Sequence, residues 1–347
     1  MQNDRLISRD FLLFGLLGLL AILLFVLDIF FGSLLIPFKT ILQVLTGTGN
    51  VNPEIRSIVI DFRLPKAITA VMAGMALSIS GLQMQTIFRN PLAGPFVLGI
   101  SAGASLGVAI LVLGFSSVFT LGLFTISGSW ALVIVAWLGS ALVLFLILAV
   151  SIRIKDILTI LILGMLFGSA SGALVNILQY FSNESMLKSF VIWTMGSLGS
   201  VTKSQLNVLI PSVIFGLVLS FFSIKSLDVM LLGEQYAKSM GLRVRNARFL
   251  VFTSTSILAG SITAFCGPIG FIGIAVPHIG RLLFKTARHK ILIPSSLLIG
   301  SIVMLLSDIV SQMPGYESTL PINSVTALVG IPVIIWIILK NRKFSSV

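Results

Sequence analysis

Residues that commonly do chemistry are few in this sequence, and they are not grouped. The two histidines, His278 and His289, share no metal-ligand spacing with a carboxylate or a cysteine, and the single cysteine, Cys266, lies in an apolar run. This pattern predicts no catalytic residues, no metal site, no cofactor and no disulfide within the chain. We interpret His278 as a packed polar residue near a helix end. The dipeptide Gly-Lys of a phosphate-binding loop does not occur, so any ATP must be hydrolysed on a separate subunit.

One polar segment, residues 228–248, separates two apolar runs. Its residue types predict a short helix from about Leu232 to Met240, which stops at Gly241 in a left-handed conformation. Ala237 and Met240 share one face of that helix, three residues apart. Three arginines follow at once: Arg243, Arg245 and Arg248. A basic cluster beside an apolar run indicates a cytoplasmic loop, and the segment is either a docking surface or an ordinary loop of that kind.

The composition excludes a water-soluble globular protein. Hydrophobic residues make up 56% of the 347 residues and charged residues 10%, with a mean hydropathy of +1.10, whereas soluble domains carry about 25% charged residues. The net charge of +12 comes from basic residues at the edges of apolar runs, which indicates membrane orientation and not nucleic-acid binding. The first run, 11–27, has no small-residue cleavage site after it and is predicted to be an uncleaved span.

The intervals without charge predict one all-α domain over residues 1–347, with ten transmembrane helices and short re-entrant or surface helices. The predicted spans are 11–31, 67–88, two within 90–152, 156–180, 204–224, two within 249–283, 291–310 and 322–339. Residues 114–128 form a predicted outside turn. An amphipathic piece at 38–45 and an apolar piece between Lys188 and Lys203 are too short to cross.

Orientation follows from the basic residues. With both termini in the cytoplasm, His289 lies in a cytoplasmic loop, and the basic residues outside are a minority: Lys39, Arg56, Arg63, Lys66, Lys188 and Lys203. Four aspartates fall at span ends, where we expect them to be solvated, with Asp308 nearest a span interior: Asp28, Asp61, Asp156 and Asp308. Few ionisable groups inside spans argue against an ion-coupled secondary transporter, which remains the alternative. A membrane-embedded enzyme would need a nucleophile and base that the sequence does not pair.

The polar segment beginning at Gly233-Glu234 resembles the cytoplasmic coupling segment of FecCD-type permeases, the membrane subunits of ABC importers for siderophores, haem and cobalamin. The resemblance extends from about Arg63 to Lys340. It includes the stretches Arg63-Leu64-Pro65-Lys66, 80–85, Arg89-Asn90-Pro91-Leu92-Ala93, 98–104, 193–197 and 267–282. It implies a homodimer in the bacterial inner membrane, two cytoplasmic ATPase subunits and an extracytoplasmic binding protein, soluble or lipid-anchored.

The same resemblance implies roles for particular residues. The coupling residues would be Gly233, Glu234, Tyr236, Ala237, Met240, Gly241 and Leu242. The translocation pathway and its outer gate would include Ser169, Ser171, Asn176, Asn183, Glu184, Ser185 and Met186, although close packing also explains the serines. Arg56 would dock the binding protein. A pathway of small and apolar residues suits a bulky chelate better than a bare ion. Ferric siderophore leads as the family's commonest cargo class, and haem or cobalamin also fits.

Overall fold

The computed structural model describes residues 2–32, 34, 36–48, 51–114, 128–154, 156–312 and 319–341. Within these ranges the chain forms helices and connecting turns, without strands. The helices are α1 Gln2–Phe30, α2 Phe38–Thr46, α3 Pro53–Ser57, α4 Leu64–Ile87, α5 Ile100–Ala109, α6 Gly128–Arg153, α7 Ile157–Phe181, α8 Glu184–Thr194, α9 Lys203–Leu231, α10 Glu234–Ser239, α11 Val244–Cys266, α12 Ile272–Phe284, α13 His289–Ser311 and α14 Ile322–Asn341. A π-helical stretch, Ile58–Arg63, joins α3 to α4, and another, Ile110–Gly114, extends α5.

Helix α4 is the centre of the bundle and packs against α9, α11, α12 and α13. Glycines permit its closest crossings. A Cβ atom at Gly81 would lie 1.8 Å from the carbonyl oxygen of Gly273 on α12, and one at Gly74 would lie 2.2 Å from that of Gly300 on α13. The apolar windows of α4 and α11 are 78% buried, against 17% for α1 and α7. Helices α1 and α7 therefore lie at the periphery of the subunit.

A buried polar network holds α4 to α9 and α11. The Gln83 side-chain amide on α4 donates to Ser220 Oγ at 3.2 Å and to Ser254 Oγ at 3.1 Å, and its oxygen accepts from Thr255 Oγ1 at 2.8 Å. Every member of this group lies inside the bundle. Because lipid offers no hydrogen-bonding partner, polar groups in a membrane protein must satisfy one another in this way.

The described residues contain seven helices that are long and apolar enough to cross a membrane, together with three shorter apolar helices, Ile100–Gly114, Ile272–Phe284 and Ile322–Trp336. These elements coincide with the ten predicted spans, while a count of ten crossings stays a prediction. The predicted extracytoplasmic turn spans residues 114–128. Of these, residues 115–127 are not among the described residues. The amphipathic helix predicted at 38–45 is confirmed as α2.

Several boundaries differ from those predicted. The second candidate span begins at Pro53 instead of residue 67, and α9 continues to Leu231 instead of ending at residue 224. The short helix predicted between Lys188 and Lys203 begins earlier, as α8. The reason is that charged side chains end a lipid-compatible window but do not end a helix, so counting apolar residues shortens each element.

The prediction of solvated aspartates is wrong for Asp28 and Asp308, whose side chains are buried with 3% and 1% exposure. Lys66 Nζ lies 3.1 Å from Asp308 Oδ2. The Gln312 amide nitrogen lies 3.0 Å from an oxygen of each carboxylate, on α1 and α13. Burial of the two carboxyl groups is tolerated because Lys66 pairs with Asp308 and the Gln312 amide donates to both. Lys66, one of the basic residues predicted to lie outside, is thus part of this cluster.

Arg63, also predicted to lie outside, is likewise buried. Its guanidinium donates to the carbonyl oxygens of Ile29 at 3.1 Å and Phe30 at 3.0 Å, and so satisfies the last turn of α1. At the other end of α1, Arg9 donates to the carbonyl oxygen of Phe284 at 3.3 Å. Polar contacts thus hold both ends of a helix whose middle is mostly exposed.

Candidate coupling site and translocation surface

The polar segment forms the short helix α10, Glu234–Ser239, between the long helices α9 and α11. Gly233 precedes it with φ of +111° and Gly241 follows it with φ of +83°. The predicted helix and its left-handed stop at Gly241 are confirmed, although the helix is two residues shorter at its start and one residue shorter at its end than predicted. Glycine is needed at both positions because residues with a Cβ are strained there.

Glu234 joins three parts of this segment. Its carboxylate accepts from Arg248 Nη2 at 2.6 Å and from Lys238 Nζ at 2.8 Å. The guanidinium of Arg248 is buried at the start of α11, so the ion pair ties α10 to that helix. The sequence predicts Arg248 only as one of three arginines of a cytoplasmic loop, and the structure gives it a partner in Glu234. The spacing of fourteen residues between them gives no periodic signal in the sequence.

The Arg89 side chain packs against the backbone at Gly233. Arg89 follows α4 with φ of +48°, and its Nη2 donates to the carbonyl oxygen of Leu231 at 3.4 Å. A Cβ atom at position 233 would lie 2.4 Å from that nitrogen. The guanidinium therefore occupies the space that any other residue at 233 would need. Sequence reasoning noted Arg89 only within a motif and assigned it no role.

The outer surface of α10 is exposed and partly apolar. Tyr236 and Met240 are 55% and 57% exposed, whereas Ala237 is fully buried against the core and Leu242 packs beside it. An open groove of about 700 Å³ runs along this surface, lined by Arg89, Leu232, Gly233, Glu234, Gln235, Tyr236 and Ser239. Exposed aromatic and methionine side chains on a rigid helix are suited to contact another protein.

The pathway candidates separate into two sets on α7. Ser169 and Asn176 are exposed, whereas Ser171 is buried inside the subunit. Packing thus accounts for Ser171, and the exposed pair remains predicted to line the pathway. Asp156 is the N-cap of helix α7, and its carboxylate accepts from Thr159 Oγ1 at 2.6 Å and from the Thr159 backbone nitrogen at 2.9 Å. These hydrogen bonds lower the pKa of Asp156.

The outer-gate candidates begin helix α8. Asn183 is its N-cap, and the side-chain oxygen accepts from the Met186 backbone nitrogen at 3.2 Å. Glu184 and Ser185 are exposed, and Met186 is half-buried against the core. Arg56, the predicted docking residue, lies exposed in the last turn of α3. Capping alone explains Asn183, while the roles of the others stay predictions.

The histidines are both structural in their contacts. His278 Nε2 lies 2.8 Å from the carbonyl oxygen of Pro91, which confirms the interpretation of a packed polar residue. His289 was expected to lie in a cytoplasmic loop. It is instead buried as the first residue of α13. Among the described residues no group of three or more histidines, cysteines, aspartates or glutamates could hold a metal ion.

The long apolar helices and the buried polar networks between them are those of a polytopic membrane protein. Residues 19–340 match the FecCD transport family, and the chain belongs to that family. The match begins well before Arg63, where the predicted resemblance started. Members of this family are membrane permease components of ABC transporters and are not themselves catalytic.

Two curated relatives illustrate the similarity. The hemin transport system permease protein HmuU of Yersinia pestis is 33% identical over 346 residues, which cover 99% of this chain and 100% of the relative. The vitamin B12 import system permease protein BtuC of Salmonella paratyphi A is 34% identical over 320 residues, covering 90% and 94%. A solved structure described as an inward-facing metal-chelate type ABC transporter aligns with a TM-score of 0.77 at 27% identity, covering 94% of this chain and 99% of that one.

Proposed function

We propose that this chain is the membrane-spanning permease of an ATP-driven importer, which passes a bulky metal chelate from a binding protein to the cytoplasm. The observation that carries the proposal is α10, a short helix fixed by the Glu234–Arg248 ion pair with Tyr236 and Met240 exposed. Relatives named for hemin and vitamin B12 support a chelate cargo. Ferric siderophore is our first cargo class, ahead of haem and cobalamin.

The proposed assembly is a homodimer in the bacterial inner membrane, with two ATPase subunits on α10 and its copy. The chain crosses the membrane ten times with both termini in the cytoplasm. Helix α7 supports the dimer, because its apolar window is only 17% buried within one subunit and carries Ser169 and Asn176 on the exposed side. Exposed Arg56 supports docking of the binding protein outside, where one ion pair contributes about 0–1 kcal/mol.

An ion-coupled secondary transporter is the second candidate, favoured by the buried carboxylates Asp28 and Asp308. Lys66 Nζ lies 3.1 Å from Asp308 Oδ2, and the Gln312 amide donates to both carboxyl groups. We interpret the group as structural for that reason. Uptake into vesicles driven by an ion gradient, with neither ATP nor an ATPase subunit present, would favour the second candidate.

The coupling assignment is tested by the double substitution Tyr236→Ser with Met240→Ser. Both side chains are more than half exposed, so the fold should be retained while the ATPase loses its apolar anchors. We expect affinity for the ATPase subunit to fall at least about tenfold, measured by titration in detergent. Phe62→Ser is the control, because Phe62 is 64% exposed and lies just before α4, at the opposite end of that helix from Arg89. Equal affinity of the double variant and the parent would contradict the assignment.

Topology is tested by single cysteines at Lys238 and Arg56, in a chain where Cys266 is replaced. The proposed orientation predicts that an impermeant thiol reagent labels position 56 in intact cells and position 238 only after the cells are opened. Both side chains are exposed, so lack of labelling reports sidedness and not burial. Labelling of position 238 from outside would reverse the orientation. Glu317, also predicted outside, lies outside the described residues.

A further inference from the structure

His289 bridges three helices at the end of the subunit that carries the coupling segment. Its side chain is 1% exposed. Its backbone nitrogen and its Nδ1 each lie 2.7 Å from Asp228 Oδ1, and its Nε2 lies 2.8 Å from Thr86 Oγ1. The Asp228 carboxylate accepts from Nδ1–H, and the Thr86 hydroxyl, whose single proton also faces the carbonyl oxygen of Leu82 at 2.9 Å, contacts Nε2. Both ring nitrogens are therefore engaged, on opposite sides.

The two partners of His289 lie next to the coupling segment. Asp228 is in the last turn of α9, five residues before Gly233, and Thr86 is in the last turn of α4. His289 itself begins α13. The bridge thus joins the helix that leads directly into α10 to the central helix and to one of its closest neighbours.

The last turn of α4 makes two further polar contacts. Gln85 accepts from Arg281 Nη1 of α12 at 2.6 Å and donates to the carbonyl oxygen of Ile274 at 3.1 Å. Arg89, just beyond the helix, donates to Leu231 and contacts Gly233. The end of α4 is therefore connected to α12 by Gln85, to α13 by Thr86 and, just beyond the helix, to the coupling segment by Arg89.

We propose that His289 is a positioning residue that makes α9, α4 and α13 move together when the coupling segment is displaced. This inference rests on the proposed function. Short hydrogen bonds fix both the distance and the direction of a contact, whereas apolar helix contacts permit small sliding motions. A shift of the last turn of α9 is therefore transmitted to α13 through the Asp228–His289 contact, and to α4 through the His289–Thr86 contact.

The experiment uses the full importer in vesicles, with its ATPase and binding protein and with ferric siderophore, haem and cobalamin as test cargoes. Three quantities are measured: the fraction of permease assembled, the rate of ATP hydrolysis, and the cargo transported per ATP hydrolysed. His289→Ala should lower the transport-to-hydrolysis ratio by about three- to tenfold per assembled complex. His289→Asn should recover part of it, because an asparagine can still contact Asp228. Asp228→Ala combined with His289→Ala should be no worse than either alone.

His278→Ala is the matched control, because His278 is also a buried histidine with one 2.8 Å hydrogen bond, but that bond is to Pro91 and not to Asp228 or Thr86. It should lower the melting temperature without changing the ratio. Thr86→Val keeps the shape of Thr86 and removes its hydrogen bond to His289, so it provides a test if His289→Ala does not fold. An unchanged ratio in His289→Ala or Thr86→Val, whatever the loss of stability, overturns the proposal. Failure of the parent permease to assemble with the ATPase would refute the proposed function first, and this inference with it.

Discussion

Gly233→Val is expected to leave the permease folded but to uncouple it from ATP hydrolysis. A valine at φ of +111° is strained, by about 1–3 kcal/mol, and its Cβ would lie 2.4 Å from the Arg89 guanidinium. The Arg89 guanidinium is the exposed end of a flexible side chain and can move aside, which breaks its bond to the Leu231 carbonyl oxygen, whereas the strain at position 233 is relieved only by a shift at the start of α10. A strain of about 1–3 kcal/mol corresponds to a roughly 5- to 150-fold change in an equilibrium constant. We expect the cargo-stimulated rate of ATP hydrolysis in the variant to be lower than that of the parent by a factor in this range.

Two other glycines separate the causes of this loss. Gly241 has φ of +83°, but no described atom lies within 4 Å of a Cβ built there, so Gly241→Val should cost the strain alone, about 1–2 kcal/mol, and reduce coupling less. Gly47→Val has comparable strain, at φ of +69°, at the end of α2 and should leave hydrolysis unchanged. Normal stimulation in Gly233→Val would show that the position of α10 on Arg89 is unimportant.

The second large effect is expected from Gly81→Ala, which should prevent stable folding. The added Cβ would lie 1.8 Å from the carbonyl oxygen of Gly273, and both helices present backbone at this crossing. No side chain can rotate away, so α4 and α12 must separate. We expect a cost above the roughly 1–3 kcal/mol that overpacking usually carries. Yield after detergent extraction and the melting temperature of the purified protein measure it.

Gly15→Ala is the control for that substitution. Gly15 lies on α1, and within the described part of the chain nothing approaches a Cβ there within 4 Å. Alanine also favours a helix over glycine by roughly 1 kcal/mol, so the control should equal or exceed the parent in stability. If Gly81→Ala is purified with the melting temperature of the parent, the close crossing of α4 and α12 is incorrect.

The sequence predicted the helices well because lipid imposes a simple rule on composition. Long intervals without charge gave the positions of the spans, and Gly241 gave the end of α10. Helix ends were missed where charged residues continue a helix, as at Asp228 near the end of α9. A prediction that ends each span at a charged residue stops before the end of α9, although the helix continues to Leu231.

The polar contacts between helices could not be predicted in the same way. Asp28 and Gln312 are in contact although 284 residues separate them, and Thr86 and His289 although 203 do. Nothing in the local pattern of either residue indicates its partner. Buried charges at span ends therefore looked solvated, and His289 looked like a loop residue. Tertiary pairing decides such positions, and one sequence without relatives does not contain that information.

The contacts at both ends of α1 have a consequence for biogenesis. This helix precedes the others of the bundle in the chain, yet Asp28 contacts Gln312 and Arg9 contacts Phe284, more than 270 residues further on. During synthesis α1 can contact Arg63 early, but its contacts with Phe284 and Gln312 must wait until α12 and α13 have been inserted. Its mean hydropathy of 2.8, equal to the highest among the candidate spans, makes it stable in lipid during that interval. The polar contacts at its two ends then dock a helix that was already inserted.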